Sequence, residues 1–242
     1  MADLPEHGSP KARRILAAAG DLLISRGIKG VTISDVAKKA HIGKGTVYLY
    51  WRTKEDLLLG LLCRDFVAMA DDAMAAVTAE PDLARPSRWF PRVVRTTTER
   101  RFVHALRSHD DGLLGVLADD PRSAKLLDVL GPDAVMAEVL PIWRANGLAS
   151  TDWPLADQAL ALHALTTGFV AAADHPPRLP VEDHDRVLAA AVTALLGPER
   201  ASPEQVQAAA DEGVRRLANG RALALEVIEP TGADHPGPGS PG

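Results

Sequence analysis

Cysteine is nearly absent: 242 residues contain one, Cys63. A single thiol excludes an internal disulfide, and its setting among Leu61, Leu62 and Phe66 reads as a small buried hydrophobe rather than a redox group. Aromatic residues make up 4% of the chain, so the position of each Trp and Phe carries weight. No apolar run approaches the roughly eighteen residues that cross a bilayer, and Val187 to Leu196 is among the longest. Met1 to Pro10 is polar and lacks the apolar segment of a secretory signal, so the expected compartment is the cytoplasm, with no membrane partner. No alternating apolar run bounded by turns suggests a strand, and no repeat period is evident. Also missing are His-Glu-x-x-His, a phosphate-binding glycine loop and any nucleophile motif. The chain is therefore not expected to be an enzyme, and no catalytic residue, cofactor or metal is expected.

What is present is a folding composition with an uneven charge. Hydrophobic residues reach 46% and charged ones 24%, the balance of a globular chain. The net charge of −5 argues by itself against a polyanion partner, but the distribution does not. Residues 1–60 hold ten Lys and Arg against six Asp and Glu, and the remainder seventeen against twenty-six. A basic head on an acidic body suits a polyanion-binding unit attached to a separate domain.

The apolar periodicity is helical almost throughout, so the fold class is all-α. Ile15, Leu16, Ala19, Leu22 and Leu23 recur at three- and four-residue spacing, and Gly27 ends that helix. Thr32 reads as the N-cap of a short second helix, with Asp35 completing an acidic capping box and Val36, Ala37 and Ala40 buried. His41-Ile42-Gly43 makes a turn, and a third short helix runs from Lys44 to about Trp51. Lys54 begins a long helix with Leu57, Leu58, Leu61, Leu62 and Phe66 on its apolar side. Later helices are expected over about 87–108, 112–129, 133–146, 154–174, 183–196 and 203–220. Ser202-Pro203-Glu204-Gln205 is a start signal with an N-cap, Pro at the first position and Gln reaching back. Residues 229–242 are Gly, Pro and polar side chains, the composition of a disordered tail.

Thr32 to Leu58 carries the function. Two short helices joined by a three-residue turn form the unit that sets its second helix into the major groove. Val36, Ala37, Ile42 and Val47 are apolar where the pair must pack. Lys44, Gly45, Thr46 and Tyr48 begin the second helix, the end that meets base edges. Lys44 can donate to guanine or a phosphate, and the Thr46 methyl and Tyr48 ring can meet a thymine methyl. Gly45 permits close backbone approach, while Tyr50 and Lys54 can hydrogen-bond phosphates and fix register.

Ala37, the turn, Gly45-Thr46-Val47-Tyr48-x-Tyr50-Trp51 and Lys54-Glu55-Asp56-Leu57-Leu58 together resemble the signature of the TetR family, over about residues 11–60. The resemblance implies that Thr32, Tyr50 and Lys54 hold phosphates and that Ser34, Lys44, Thr46 and Tyr48 approach bases. The chain departs from the pattern in three places. His41 stands where the turn usually has Gly, Gly43 replaces a hydroxyl-bearing cap, and Trp51 replaces the commoner Phe. Glycine costs only a few tenths of a kcal/mol as a cap, and His tolerates a left-handed turn better than most residues.

Beyond residue 60 the resemblance is one of general plan. It implies three parts: a helix-turn-helix reader at 10–56, a helical ligand-binding and dimerisation domain at 57–228, and the tail. The implied function is a ligand-responsive repressor that binds a palindromic double-stranded operator as a homodimer and is released by a small apolar or aromatic inducer. Candidate ligand contacts are Trp89, Phe90, Phe102, His104, Trp143, His163 and Phe169. A dimer seam is expected from the small residues Ala161, Ala164, Gly168 and Ala172, followed by Leu188, Val192, Leu195 and Leu196 on the next helix. His175, Glu182, Asp183, His184 and Asp185 cluster in sequence, but Asp183 reads better as a helix cap than as a metal ligand. Asp110-Asp111 and Asp119-Asp120 read as loop or helix-start charges.

Overall fold

Ser9 opens the first helix, its hydroxyl accepting the Ala12 N–H at 3.3 Å. Pro10 takes the first helical position, where a missing donor costs nothing. This helix, α1 (Pro10–Arg26), buries Ile15, Leu16, Ala19, Leu22 and Leu23 and stops at Gly27. With φ at 66°, Gly27 turns the chain away while its N–H still reaches the Leu23 carbonyl at 2.9 Å. The computed structural model describes residues 4, 8–27, 29–100, 102–104, 120–130, 132–174 and 180–228.

Two short helices follow, α2 (Ile33–Lys39) and α3 (Lys44–Tyr50), and then the long α4 (Lys54–Ala79). A single 3-10 turn, Pro81–Ala84, leads to α5 (Pro86–Glu99). The rest comprises α6 (Pro121–Leu130), α7 (Pro132–Ala145), α8 (Leu155–Asp174), α9 (His184–Leu196) and α10 (Pro203–Ile228). Among the described residues there is no strand, and no helix is long and apolar enough to cross a membrane. The fold is all-α.

Two cores organise these helices. The first joins α1, α2, α3 and the N-terminal half of α4, down to Phe66 and Val67, and also takes in Val103, Ala224 and Leu225. The second holds Trp89, Phe90, Leu140, Trp143, Leu162, Leu188, Val192, Leu196, Val206 and Ala210, from α5 and α7 to α10. The first core therefore crosses residue 56 and continues along α4. The last helix, α10, packs along α4 and also against the 3-10 turn, α6 and α7; α9 lies on α5 and α8. The two ends of the body are also tied by Glu199, whose carboxylate accepts the Ser87 N–H at 2.7 Å and its hydroxyl at 3.0 Å. That contact satisfies an orphan donor at the start of α5, which has no side-chain cap of its own.

Several helix ends differ from the sequence expectation. The helix expected over 87–108 is interrupted after Glu99, where Thr96, Thr97 and Thr98 form a β-branched run and the Thr98 hydroxyl bonds the Arg95 carbonyl at 2.8 Å; residues 102–104 are helical again, and 105–108 lie outside the described residues. The segment expected over 112–129 is helical from Pro121, and its earlier part lies outside the described residues. The last helix runs through Asn219-Gly220 to Ile228 because Ala224 and Leu225 are buried beyond that stop signal. Ser202 caps it as expected, accepting the Gln205 N–H at 3.3 Å, while Gln205 Oε1 accepts the Ser202 N–H at 2.9 Å. Residues 229–242, His175, Asp110, Asp111 and Asp119 lie outside the described residues.

Candidate nucleic-acid interface

The pairing of α2 with α3 begins at Thr32. Its hydroxyl accepts the Asp35 N–H at 3.2 Å, and Asp35 Oδ2 accepts the Thr32 N–H at 3.0 Å and its hydroxyl at 2.6 Å. These hydrogen bonds hold the Asp35 carboxyl below the usual carboxylate range. Val36, Ala37 and Val47 are buried between the helices, with Ile42 half-buried in the turn. His41 sits at φ 54°, the left-handed position its sequence place implies, and Gly43 caps α3 with no side-chain bond. Trp51 closes the unit, 6% exposed, with its ring tilted against Tyr50 at 5.6 Å.

This framework presents one face of α3. Ser34, Lys44, Gly45 and Tyr48 are exposed, while Thr46 and Lys54 are half-buried. The Lys44 ammonium lies 5.8 Å from the centre of the Tyr48 ring, so the two side chains stand together on the face. Among the described residues no carboxylate pairs with Lys44 or Lys38, whereas Lys39 is bound to Asp21 at 3.1 Å. A Cβ added at Gly45 would meet nothing within 4 Å. No neighbour inside the chain requires glycine there, and the backbone at this point is open to an approaching surface. Tyr50 is placed differently from the expected phosphate ligand. It is half-buried, and its hydroxyl bonds that of Ser9 at 2.6 Å, tying the end of α3 to the start of α1. The sequence reading also missed Leu49, which is 82% exposed in the last turn of the helix. Its signal was available: Val47 is the buried position, so Leu49, two residues on, points away from the core.

The body's candidate residues separate into groups. Trp89, Phe90 and His163 line a mostly apolar cavity of about 80 Å³ between α4, α5, α7, α8 and α10, together with Phe66, Met69, Val93 and Met136. Trp143 stands behind its wall, its ring 5.7 Å from that of Phe90 and its indole N–H donating to the Ala84 carbonyl at 2.8 Å. Phe102 packs on the first core instead, His104 is half-buried and does not line the cavity, and Phe169 faces an outer groove with Ala164, Gly168, Ala172 and Val187.

The expected dimer stripe on α9 needs correcting. Leu188, Val192 and Leu196 are at most 1% exposed and lie inside the chain's own second core, with Leu195 half-buried beside them. The face of α9 that points out carries Val187, Ala190 and Ala194. On α8, Ala164 and Gly168 are exposed, while Ala161 and Ala172 are half-buried. Asp183 caps α9 by accepting the Arg186 N–H at 2.9 Å, and Asp185 pairs with Arg95.

A buried two-helix brace, a left-handed turn and an exposed basic-aromatic helix face define a helix-turn-helix DNA-binding protein. Residues 15–61 match the profile of bacterial regulatory proteins of the tetR family. The HTH-type transcriptional regulator EthR of Mycobacterium tuberculosis H37Rv is 28% identical over 202 residues, covering 80% of this chain and 90% of EthR. The fatty acid metabolism regulator protein of Bacillus subtilis is 34% identical over 79 residues, 31% of this chain and 41% of that protein. The fold is similar to that of the fatty acid degradation regulator FadR of Bacillus halodurans, with a TM-score of 0.56, 18% identity, and coverage of 80% of this chain and 98% of that one. Residues 15–61 thus carry a helix-turn-helix of the tetR type, and over most of its length the chain is similar to a transcriptional regulator that has one.

Proposed function

We propose that this regulator is a cytoplasmic repressor that binds a palindromic operator as a homodimer and leaves it when a small, largely apolar molecule enters the body. The observation that carries the DNA-reading assignment is the exposed α3 face, where Lys44 and Tyr48 stand together without a carboxylate partner beside the bare backbone of Gly45. In this reading Ser34, Lys44, Thr46, Tyr48 and Leu49 reach base edges, Gly45 lets the backbone come close, and Thr32 and Lys54 hold phosphates. Tyr50 serves mainly to hold α3 against α1. Residues 10–56 act as reader, and 57–228 as the ligand-binding and dimerisation part.

The ligand assignment draws on the cavity bordered by Trp89, Phe90 and His163. Coupling requires that the ligand prefer the conformation that does not bind DNA, and the effect is reciprocal. The seam between copies is assigned to the outward faces of α8 and α9, where Leu160 is 69% and Val187 40% exposed. Ala164 and Gly168 leave the space there for close helix approach.

The test is selection of bound duplexes from genomic DNA with the purified chain, followed by titration of the enriched site. Tyr48→Ala and Leu49→Ala should each cost about 1–3 kcal/mol and relax base preference. Lys54→Ala should weaken all sequences alike and lower the salt dependence. If Tyr48→Ala leaves both affinity and preference unchanged, α3 is not the reading helix.

A further inference from the structure

A groove with an unusual charge runs along the outside of α5, against α9. Arg88, Arg92, Arg95 and Arg186 line it, opposed by Asp183 and Asp185, on a body in which acidic residues outnumber basic ones. Two of the arginines are spent on pairs within the chain: Arg88 bonds Glu80 at 2.8 Å and Asp82 at 3.0 Å, and Arg95 bonds Asp185. Arg92 and Arg186 meet no carboxylate among the described residues. The one hydrogen bond of the Arg92 side chain goes to the backbone carbonyl of Asp72, at 3.4 Å.

Arg92 also borders the apolar cavity, so it belongs to the walls of both spaces. Its neighbour there, Asp72, turns its carboxylate to Arg100 and does not neutralise it. Arg92 is half-buried along its stem and its guanidinium stays open to solvent at the cavity edge, where an anion is bound by charge-assisted hydrogen bonds. The chamber itself offers Trp89, Phe90, Val93, Met69 and Met136 to a hydrocarbon. Its volume, about 80 Å³, is roughly half that of an engineered apolar cavity that admits benzene. A tail of several carbons therefore requires the two flexible methionine side chains to give way.

From this juxtaposition we infer that the regulator's ligand is an anionic amphiphile, its tail in the cavity and its carboxylate or phosphate head on Arg92 at the edge of the arginine groove. The inference rests on the reading that the body's cavity takes the ligand, and it narrows that reading from any apolar molecule to one with an acidic head.

Calorimetric titration of the full chain with octanoate, octyl phosphate, 1-octanol and octylammonium, all below micellar concentration, tests it. The two anions bind, the alcohol binds about tenfold more weakly, and the cation does not bind. Whichever anion binds tighter assigns the head group. Arg92→Gln lowers octanoate affinity about tenfold and leaves octanol affinity as it was. Arg14→Gln, an exposed residue of α1 that borders neither space, changes neither. Thermal melting of each variant shows that it is folded. Equal binding of octanol and octanoate to the wild type, or undiminished octanoate binding to folded Arg92→Gln, overturns the assignment. So does the failure of every probe to bind a chain that still holds its operator. Octanol that binds as tightly as octanoate and releases the operator leaves the ligand-responsive reading intact while removing the acidic head, so the two failures are separable.

Discussion

Gly60 has no room for a side chain. A Cβ built there would stand 2.9 Å from Arg64 Nη1 and 3.1 Å from Trp51 Nε1. The guanidinium of Arg64 is fixed above this point by its bond to the Gly60 carbonyl at 2.5 Å. The larger Trp51 at the end of α3 is thus seated by a missing methyl on α4. Gly60→Ala must swing the Arg64 tip aside and press on Trp51, partly offset by alanine's helix propensity, and should lower stability by no more than about 1 kcal/mol, read as a lower urea midpoint with an unchanged slope. Three residues further on, Cys63 is fully buried, and burial pushes its thiol up to about 12. The reactive species is the thiolate, so the native protein should not react with a thiol reagent at neutral pH and should do so once unfolded. Rapid labelling of the native chain would contradict its place in the core.

At the scale of helices, the start of α4 is held from two sides. Thr53 and Asp56 form a capping box, with bonds of 3.0 and 3.2 Å, that the sequence reading passed over. Arg122, in the first turn of α6, then bonds Asp56 at 2.7 Å and Asp120 at 2.9 Å. The bonds from Arg122 hold the Asp120 carboxyl below the usual carboxylate range. A carboxyl depressed on folding stabilises the native state above its unfolded pKa, and that contribution is lost as pH falls through the lower folded value. Arg122→Ala should therefore cost no more than about 1 kcal/mol at neutral pH, since the guanidinium is 41% exposed. It should also flatten the acid side of the stability–pH curve, followed by circular dichroism. A curve of unchanged shape would show that the bridge contributes nothing. Local signals such as Thr32, Gly27 and Ser202 were readable because each acts within four residues. The bridge from Arg122 to Asp56, the cap from Glu199 to Ser87 and the bond from Ser9 to Tyr50 join residues 41 to 112 positions apart. No spacing rule announces such contacts.

Across the whole molecule, periodicity identified which helices exist but not which of two apolar faces looks inward. On α9, Leu188, Val192 and Leu196 and the opposite set Val187, Ala190 and Ala194 are both spaced for a helix face. Only the packing of α5 and α8 decides that the larger side chains are internal. The reader was more legible, because Thr32, Val36, Ala37 and Val47 are fixed by neighbours close in sequence, whereas Tyr50, held by Ser9, was not. For the body, Trp89, Phe90 and His163 were placed on the cavity, while Phe102, His104, Trp143 and Phe169 went elsewhere, since an aromatic serves a wall, a second wall or a surface equally well by composition. If the outward faces of α8 and α9 join two copies, Gly168→Glu and Val187→Glu should give folded monomers with weak operator binding. Val192→Glu should instead unfold the body. Sedimentation together with thermal melting separates these outcomes, and a wild-type chain that sediments as a monomer yet grips a palindrome tightly would remove the dimer.

Ala224 and Leu225 have a consequence for how this protein is made. They belong to the same apolar cluster as Ile15, Val47 and Leu57, although two hundred residues separate the ends of that list. A ribosome delivers the chain from its N-terminus, so α4 emerges long before the last helix that packs along it. A chain halted before residue 224 exposes the lower flank of α4 to water and to the cell's proteases. The flank of α4 that continues the reader's interior is thus covered only near the end of synthesis.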